Sequence, residues 1–261
     1  MQLNETLHRY GSQVHLLENS FLTGLLARLC LAETFQPEIN RLVEVLYTQI
    51  ISIVVNNEFS LETFTQPTRM TEIDSTIRLQ GQRIARDQKA VCVNLARAGT
   101  YPSHLCYNFL HLALKPQNIR QDHIFAARAT DANHHVTGAE FGGLKIGGGV
   151  HNAHVLFPDP MGATGNTILT ALDHYKKHVE GTAKKFLALH LIVTPEYLKR
   201  VLKAHPEVVI YALRLDRGLS DEAVLRTPPG THWDQEKGLN ENQYIVPGAG
   251  GFGEIMNNSF V

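Results

Sequence analysis

Residues 153–167 read Ala153-His154-Val155-Leu156-Phe157-Pro158-Asp159-Pro160-Met161-Gly162-Ala163-Thr164-Gly165-Asn166-Thr167. The apolar run at 153–157 reads as a buried strand. Beyond it the period changes: Ile168, Leu169, Leu172, Tyr175 and Val179 share one helical face, which predicts a helix over 167–179. The turn between them is made of small residues and hydroxyls. Small side chains let backbone N–H groups approach an anion, Thr164 and Thr167 add hydroxyl donors, and a helix N-terminus adds partial positive charge. A phosphate monoester fits such a turn, and Asp159 at the strand end is placed to accept ribose hydroxyls beside it. An ordinary strand–turn–helix connection capped by Thr167 accounts for the same residues. The turn is neither a GxxxxGK[ST] P-loop nor a dinucleotide GxGxxG.

The surrounding chain repeats the alternation. Apolar runs at 90–95, 123–127, 186–193 and 208–215 read as strands. Helical patterns fall at 103–114 and after Pro195, where Tyr197, Leu198, Val201 and Leu202 recur. Upstream, Pro37 suits the first turn of a helix in which Ile39, Leu42, Val43, Leu46, Ile50 and Val54 line one face. Continuous apolar strands separated by helices predict an α/β fold, with a mainly parallel sheet between helices. Ligands of such folds bind beyond the C-terminal strand ends, so the loops after the strands matter most.

Composition sets the outer limits. The 261 residues carry 24 Lys+Arg against 25 Asp+Glu, a net charge of −1, which gives no electrostatic footprint for nucleic acid. With 43% hydrophobic residues the chain holds a sizeable core, and we expect a single domain over 1–261. Cys30, Cys92 and Cys106 lack CxxC spacing and read as three reduced thiols. The N-terminal sequence has no signal-peptide pattern, and the apolar tract at 42–55 is interrupted by Glu44, Thr48, Gln49 and Ser52. A soluble, cytoplasmic protein with no membrane partner is expected.

Two segments break the alternation. Residues 138–149 hold six glycines and read as a mobile flap or hairpin arm. Residues 220–237 are polar, contain Pro228-Pro229-Gly230, and read as an extended surface loop. The hexamers flanking that loop, 217–222 and 237–242, resemble each other. Trp233 inside it is a candidate to stack on a base, with packing on its own domain as the alternative. His151 with His154, and His134 with His135, are close in sequence but fall short of the three or four convergent ligands of a metal site, so no metal-ligating residue is assigned.

Residues 159–167 closely match Asp-Pro-Met-x-Ala-Thr-Gly-x-Ser/Thr, the phosphoribosyl-diphosphate (PRPP) motif of uracil phosphoribosyltransferases, and the chain resembles that family over roughly 12–261. Tyr244-Ile245-Val246-Pro247-Gly248 is similar to its uracil-binding segment, and Asn94-Leu95-Ala96-Arg97-Ala98-Gly99 to its Leu-Arg-Ala-Gly loop. Ala127-Arg128 stands where the family has Tyr-Arg, and Val14-His15-Leu16-Leu17 resembles its N-terminal arm. The resemblance implies the type I phosphoribosyltransferase fold, with a hood from the N- and C-terminal segments, a helical N-terminal arm at 12–60 and a Gly-rich arm at 138–149. It implies transfer of phosphoribosyl from PRPP to N1 of uracil, giving UMP and pyrophosphate. In that reading Asp159, Arg97 and Arg128 are the catalytic group. Arg97 and Arg128 contact pyrophosphate, Asp159 holds the ribose, and Pro160, Met161, Gly162, Ala163, Thr164, Gly165, Asn166 and Thr167 complete the PRPP site. Tyr244, Ile245, Gly250, Gly251 and Phe252 form the base site. Mg²⁺ accompanies PRPP through pyrophosphate and water, and a homo-oligomer, dimer or tetramer, is implied.

The sequence departs from the family at defined points. Its loop Pro-Gly-x-Gly-Asp-x-Gly-Asp is here Pro247-Gly248-Ala249-Gly250-Gly251-Phe252-Gly253-Glu254, so one aspartate is Gly251 and the other Glu254. The motif's leucine is Gly162, Thr100-Tyr101-Pro102 follow Gly99, and 220–237 is an insertion before the base segment. A diverged PRPP- or nucleotide-binding regulatory protein, and a phosphoribosyltransferase for another base, are the alternatives.

Overall fold

The computed structural model describes residues 3–130 and 136–260, with the backbone alone for 126–130 and 136–141. In chain order the elements are Val14–Leu16 (β1), Ser20–Leu29 (α1), Glu38–Glu58 (α2), Leu61–Gln66 (β2), Leu79–Ile84 (β3), Lys89–Ala96 (β4), Thr100–Leu110 (α3) and Ile119–Thr130 (β5). They continue with Val136–Lys145 (β6), Ala153–Pro158 (β7), Met161–Gly162 (β8), Asn166–His178 (α4), Lys185–Val193 (β9), Pro195–Ala204 (α5), Val209–Leu215 (β10), Glu222–Leu225 (α6) and Phe252–Asn257 (α7).

The main sheet runs β1-β10-β9-β7-β4-β5-β6, with short β8 on β9. Every pairing in it is parallel except β5 with β6. Alternate side chains enter opposite layers, as the pleat requires. Cys92, Leu156, Leu189 and Tyr211 meet α2 and α3. Val93, Val155, Ala188 and Ile210 meet α4 and α5. Both faces are covered, which is why the central strands read as unbroken apolar runs.

Strand order fixes where a ligand can enter. From β4 the chain crosses through α3 to β5 on one side, whereas β7, on the other side of β4, leads through α4 to β9. The order reverses between β4 and β7, so the loops after these two strands leave the sheet as neighbours and open a crevice. Gly99, in the β4–α3 turn, shows how close they run: a Cβ there would lie 2.8 Å from the Leu95 carbonyl and 3.1 Å from that of Pro158.

The helix predicted over 103–114 begins at Thr100, because Thr100-Tyr101-Pro102 enters its first turn, where proline costs no hydrogen bond. Pro37 is the cap of α2 rather than part of its first turn. The N-terminal arm is not wholly helical: β1 lies at the edge of the main sheet, parallel to β10. The short β2–β3 hairpin is antiparallel and stands apart from the main sheet. Of the Gly-rich arm, the described part up to Lys145 is a ladder strand against β5. Residues 147–149 are then tied down by Arg120 and Asp122.

The insertion is folded rather than extended. Glu236 is 3% exposed and accepts from Arg217 Nη1 at 2.8 Å, from the Gly230 amide at 2.8 Å and from the Tyr10 hydroxyl. Leu219 N–H donates to the Lys237 carbonyl and closes the neck of the loop. The flanking hexamers therefore meet at that neck. A polar sequence concealed this because its main anchor is one buried carboxylate and its partners, which carry no apolar signal, beside the single buried aliphatic side chain of Val224.

Candidate active site

At the end of β7 the backbone is turned by contacts to β9. The carbonyls of Asp159, Pro160, Gly162 and Ala163 all accept from that side. The donors are His190 Nδ1 at 2.5 Å, the Leu191 and Ile192 amides at 3.0 and 3.1 Å, the Thr194 amide at 3.0 Å and Thr194 Oγ1 at 2.7 Å. Within the turn the Ala163 N–H donates to the Met161 carbonyl at 3.0 Å and the Asn166 N–H to Thr164 Oγ1 at 3.4 Å, and drawing the carbonyls back leaves the other side to the remaining N–H groups. Gly165 then caps α4 with φ +80°, a conformation glycine adopts without strain, and the first closing bond is Leu169 N–H to the Gly165 carbonyl at 3.0 Å. The preceding amides, at 166–168, have no intrahelical acceptor by helix geometry. The cap is thus Gly165 and not Thr167, and Thr167 keeps its hydroxyl free of a capping role.

Electrostatics favour an anion here. The first turn of α4 has no acidic residue, and its last turn has Lys176, Lys177 and His178, which suit the helix dipole. Thr164 and Thr167 are half-buried and Gly165 is buried at the bottom of the turn. Gly162 lies against Tyr197: a Cβ on it would be 3.3 Å from the ring and 2.9 Å from Val193 Cγ1. This accounts for glycine at a position where the resembling motif has leucine.

Asp159 lies beside this cradle, half-buried, and burial pushes its carboxyl up to about 7. Behind it His190, fully buried, is held neutral by burial, with its pKa lowered to about 4. A carbonyl only accepts, so His190 Nδ1 carries the proton donated to Asp159, and Nε2 accepts from the Tyr197 hydroxyl at 2.6 Å. His190, Thr194 and Tyr197 were not singled out in the sequence. The readable signal was Thr194-Pro195, a cap followed by proline at the first helical position.

Across the crevice, the β4–α3 loop carries Arg97, exposed, with its Nη1 donating to Ser259 carbonyl oxygen at 3.0 Å and Oγ at 3.2 Å. The C-terminal segment therefore closes over this loop, and Gly253 lies against Ala98. The N- and C-terminal segments meet where Gln36 Nε2 donates to the Met256 carbonyl at 2.5 Å. Arg128 is in β5, and its side chain lies outside the described residues, as do His134 and His135.

The base-segment residues are divided. Tyr244 is exposed, with its amide on Asn240 Oδ1 at 2.9 Å, and Ile245 bridges to Leu239. Phe252 is 3% exposed with its ring in the α2 layer, and its N–H is already bound to the Gly250 carbonyl at 2.9 Å. The Phe252 side chain is thus core, not wall. Over Gly251, Glu254 Oε2 sits 2.8 Å from where a Cβ would stand, so a carboxylate occupies that space from the next turn. Trp233 does not reach the crevice: its Nε1 donates to the Pro195 carbonyl at 2.9 Å and its ring packs edge-on to Tyr10. His154 is buried and stacked on Phe59. Among the described residues no three His, Cys, Asp or Glu side chains converge on a metal position, and no helix is long and apolar enough to cross a membrane.

A family model described as uracil phosphoribosyltransferase matches residues 16–231, which include both crevice loops and end before the base segment. The chain belongs to the uracil phosphoribosyltransferase family. Its fold, a mostly parallel sheet between helices with the crevice at the β4/β7 switch, is the type I phosphoribosyltransferase fold. Curated relatives include the uracil phosphoribosyltransferase of Thermococcus kodakarensis, 32% identical over 100 residues, covering 38% of this chain and 34% of that one. That of Mycoplasma genitalium is 32% identical over 112 residues, covering 43% of each chain. The chain thus spans less than half the length of these relatives. Among solved structures, the AQ2163 protein from Aquifex aeolicus shares the fold at a TM-score of 0.69 with 18% identity, over 93% of this chain and 97% of that one.

Proposed function

We propose that the protein is a phosphoribosyltransferase that binds PRPP at the switch-point crevice and joins its ribose to a pyrimidine base, uracil in the first instance. The observation that carries this is the turn at 159–167, with four carbonyls drawn back to β9 and α5, and amides and hydroxyls left facing the crevice. The 5′-phosphate sits on the amides of 164–167, with the Asn166 N–H turning from Thr164 Oγ1 to the ligand, and Asp159 accepts the ribose hydroxyls. Arg97, released from Ser259, pairs with pyrophosphate. N1 of uracil forms a bond to ribose C1 as the bond from C1 to the pyrophosphate oxygen breaks, and the N1 proton leaves with pyrophosphate or to water. The transition state is loose, so the protein acts by positioning and by stabilising the leaving group.

The isolated carboxylates Asp159 and Glu254 suit a Mg²⁺ that arrives on pyrophosphate and keeps its waters better than a cage of protein ligands. Such an ion neutralises charge on the leaving group. A cytoplasmic homo-oligomer acting on PRPP and uracil completes the proposal.

The test is purified protein with PRPP, Mg²⁺ and uracil. UMP formation is expected, and absence of UMP in both the wild type and Gly251→Asp overturns the uracil reading. A screen of other bases for pyrophosphate release then tests a different acceptor. Gly251, which lacks a carboxylate, and the Arg97–Ser259 contact favour a second reading, a PRPP- or nucleotide-binding regulator. Thermal stabilisation by PRPP or UMP without turnover selects it.

A further inference from the structure

The chain uses one device twice. On β5, Arg120 and Asp122 are two residues apart and share a face. Arg120 Nε and Nη2 donate to the Asp122 carboxylate at 3.0–3.2 Å. Asp122 Oδ1 accepts the Gly147 amide at 2.9 Å, while Arg120 donates to the carbonyls of Gly148 and Gly149 at 2.8 and 2.7 Å. A fork-and-carboxylate plate thus holds both kinds of backbone group in a glycine turn.

The second plate lies at the end of β10, on the ligand edge of the sheet. Arg214 Nε and Nη2 donate to Asp216 at 2.6 and 2.8 Å. Asp216 Oδ2 accepts the Gly248 amide at 2.7 Å, and Arg214 Nη2 donates to the Gly248 carbonyl at 3.1 Å. Gly248 has φ +62°, and a side chain there would collide with the Ile245 carbonyl. Asp216 is 2% exposed. Among the described residues these are the only side-chain hydrogen bonds to 245–252. The rest of that segment's anchoring is backbone, such as the Gly218 amide on the Val246 carbonyl at 3.1 Å.

We propose that Asp216 and Arg214 are positioning residues for base recognition: they fix both backbone groups of Gly248 and so aim the following amides, at Gly250 and Gly251, into the crevice. Neither touches substrate. This rests on the reading that 245–252 receives the base. Without the plate, a glycine-rich segment has to order itself on each binding event, and the cost falls on the base and not on PRPP.

The experiment compares full-length wild type, Asp216→Asn, Arg214→Lys and, as a control on the other plate, Asp122→Asn. Hydrogen exchange without ligand and steady-state kinetics with PRPP and uracil are both read. Asp216→Asn and Arg214→Lys should speed amide exchange at 246–252 about 10-fold or more, with 163–168 unchanged. They should raise KM for the base about 10-fold, with KM for PRPP within about twofold. Asp122→Asn should loosen 147–149, and the contact of Asp122 with the Tyr175 hydroxyl of α4, while leaving exchange at 246–252 unchanged. Unchanged exchange at 246–252 in both variants overturns the clamp, whatever the activity. Faster exchange with KM for base and PRPP rising together also overturns it, since the pair is then general scaffold. If the wild type makes no nucleotide from any base while the exchange result holds, the base reading falls and the clamp stands. Arg214→Lys keeps the charge and covers the case in which Asp216→Asn does not fold.

Discussion

The two halves of the crevice, for which we propose a phosphate side and a base side, are built differently. The phosphate side, 159–167, is a short turn between a strand and a helix, and the bonds that draw its carbonyls back come from β9 or the start of α5, at most 32 residues away. The base side, 245–252, belongs to no strand, follows an inserted loop, and is closed by a C-terminal segment whose partners are Gln36, 220 residues away, and Arg97, 162 residues away. The first is a consequence of local chain direction and the second of the whole fold being in place. Changes on the phosphate side should therefore cost less stability than changes on the base side and act on PRPP affinity and chemistry, whereas changes on the base side should act on stability and base affinity together.

The largest effect is expected from Arg217→Ala. It leaves the buried Glu236 carboxylate without its cation at the neck beside the base segment, which costs about 3–5 kcal/mol. Thermal unfolding should show a Tm drop of several degrees. No change would mean that the base side does not depend on the inserted loop.

Asp159→Asn comes next. Losing charged acceptors for the ribose should cut nucleotide formation about 100-fold. The same variant carries a pH signature. The Asp159 carboxyl titrates at about 7 in the folded chain against an ordinary 3.8, so between these values the folded state binds more protons than the unfolded one. Its contribution then falls as pH rises through that window. Stability of the asparagine variant should gain on the wild type from pH 4 to pH 7, as read by denaturant titration. A constant difference would contradict the buried-carboxyl assignment.

Gly165→Ala should destabilise by about 1–2 kcal/mol, because residue 165 needs φ +80° and its Cβ would press on Val201 Cγ2 at 3.2 Å. Thr194→Ala is the smallest, about 1 kcal/mol from the lost cap of α5. It should raise KM for PRPP and leave KM for the base unchanged, since Thr194 Oγ1 braces Ala163. An equal rise in both would erase the distinction between the two sides.

The same contrast decides what could be read from the sequence. The central strands and helices were legible because burial on both faces forces unbroken apolar runs and helices keep their 3.6-residue period. The cradle was legible because small residues fell where those two signals met. The base side was visible only as a resemblance, and its supports were silent. Arg214 and Asp216 look like the ordinary polar end of a strand, Glu236 sits in a segment without apolar pattern, and β1 is only three residues long. The alternation Arg-x-Asp, seen at both 120–122 and 214–216, was the available cue.

The central claim is that the turn at 159–167 grips a ribose 5′-phosphate. A crystal structure with UMP tests it most directly. The phosphate should lie within hydrogen-bonding distance of the amides of 164–167 and the hydroxyls of Thr164 and Thr167, with Asp159 on the ribose 2′- and 3′-hydroxyls. UMP bound elsewhere, or an Asp159 carboxylate facing no sugar oxygen while the phosphate avoids the start of α4, would contradict it.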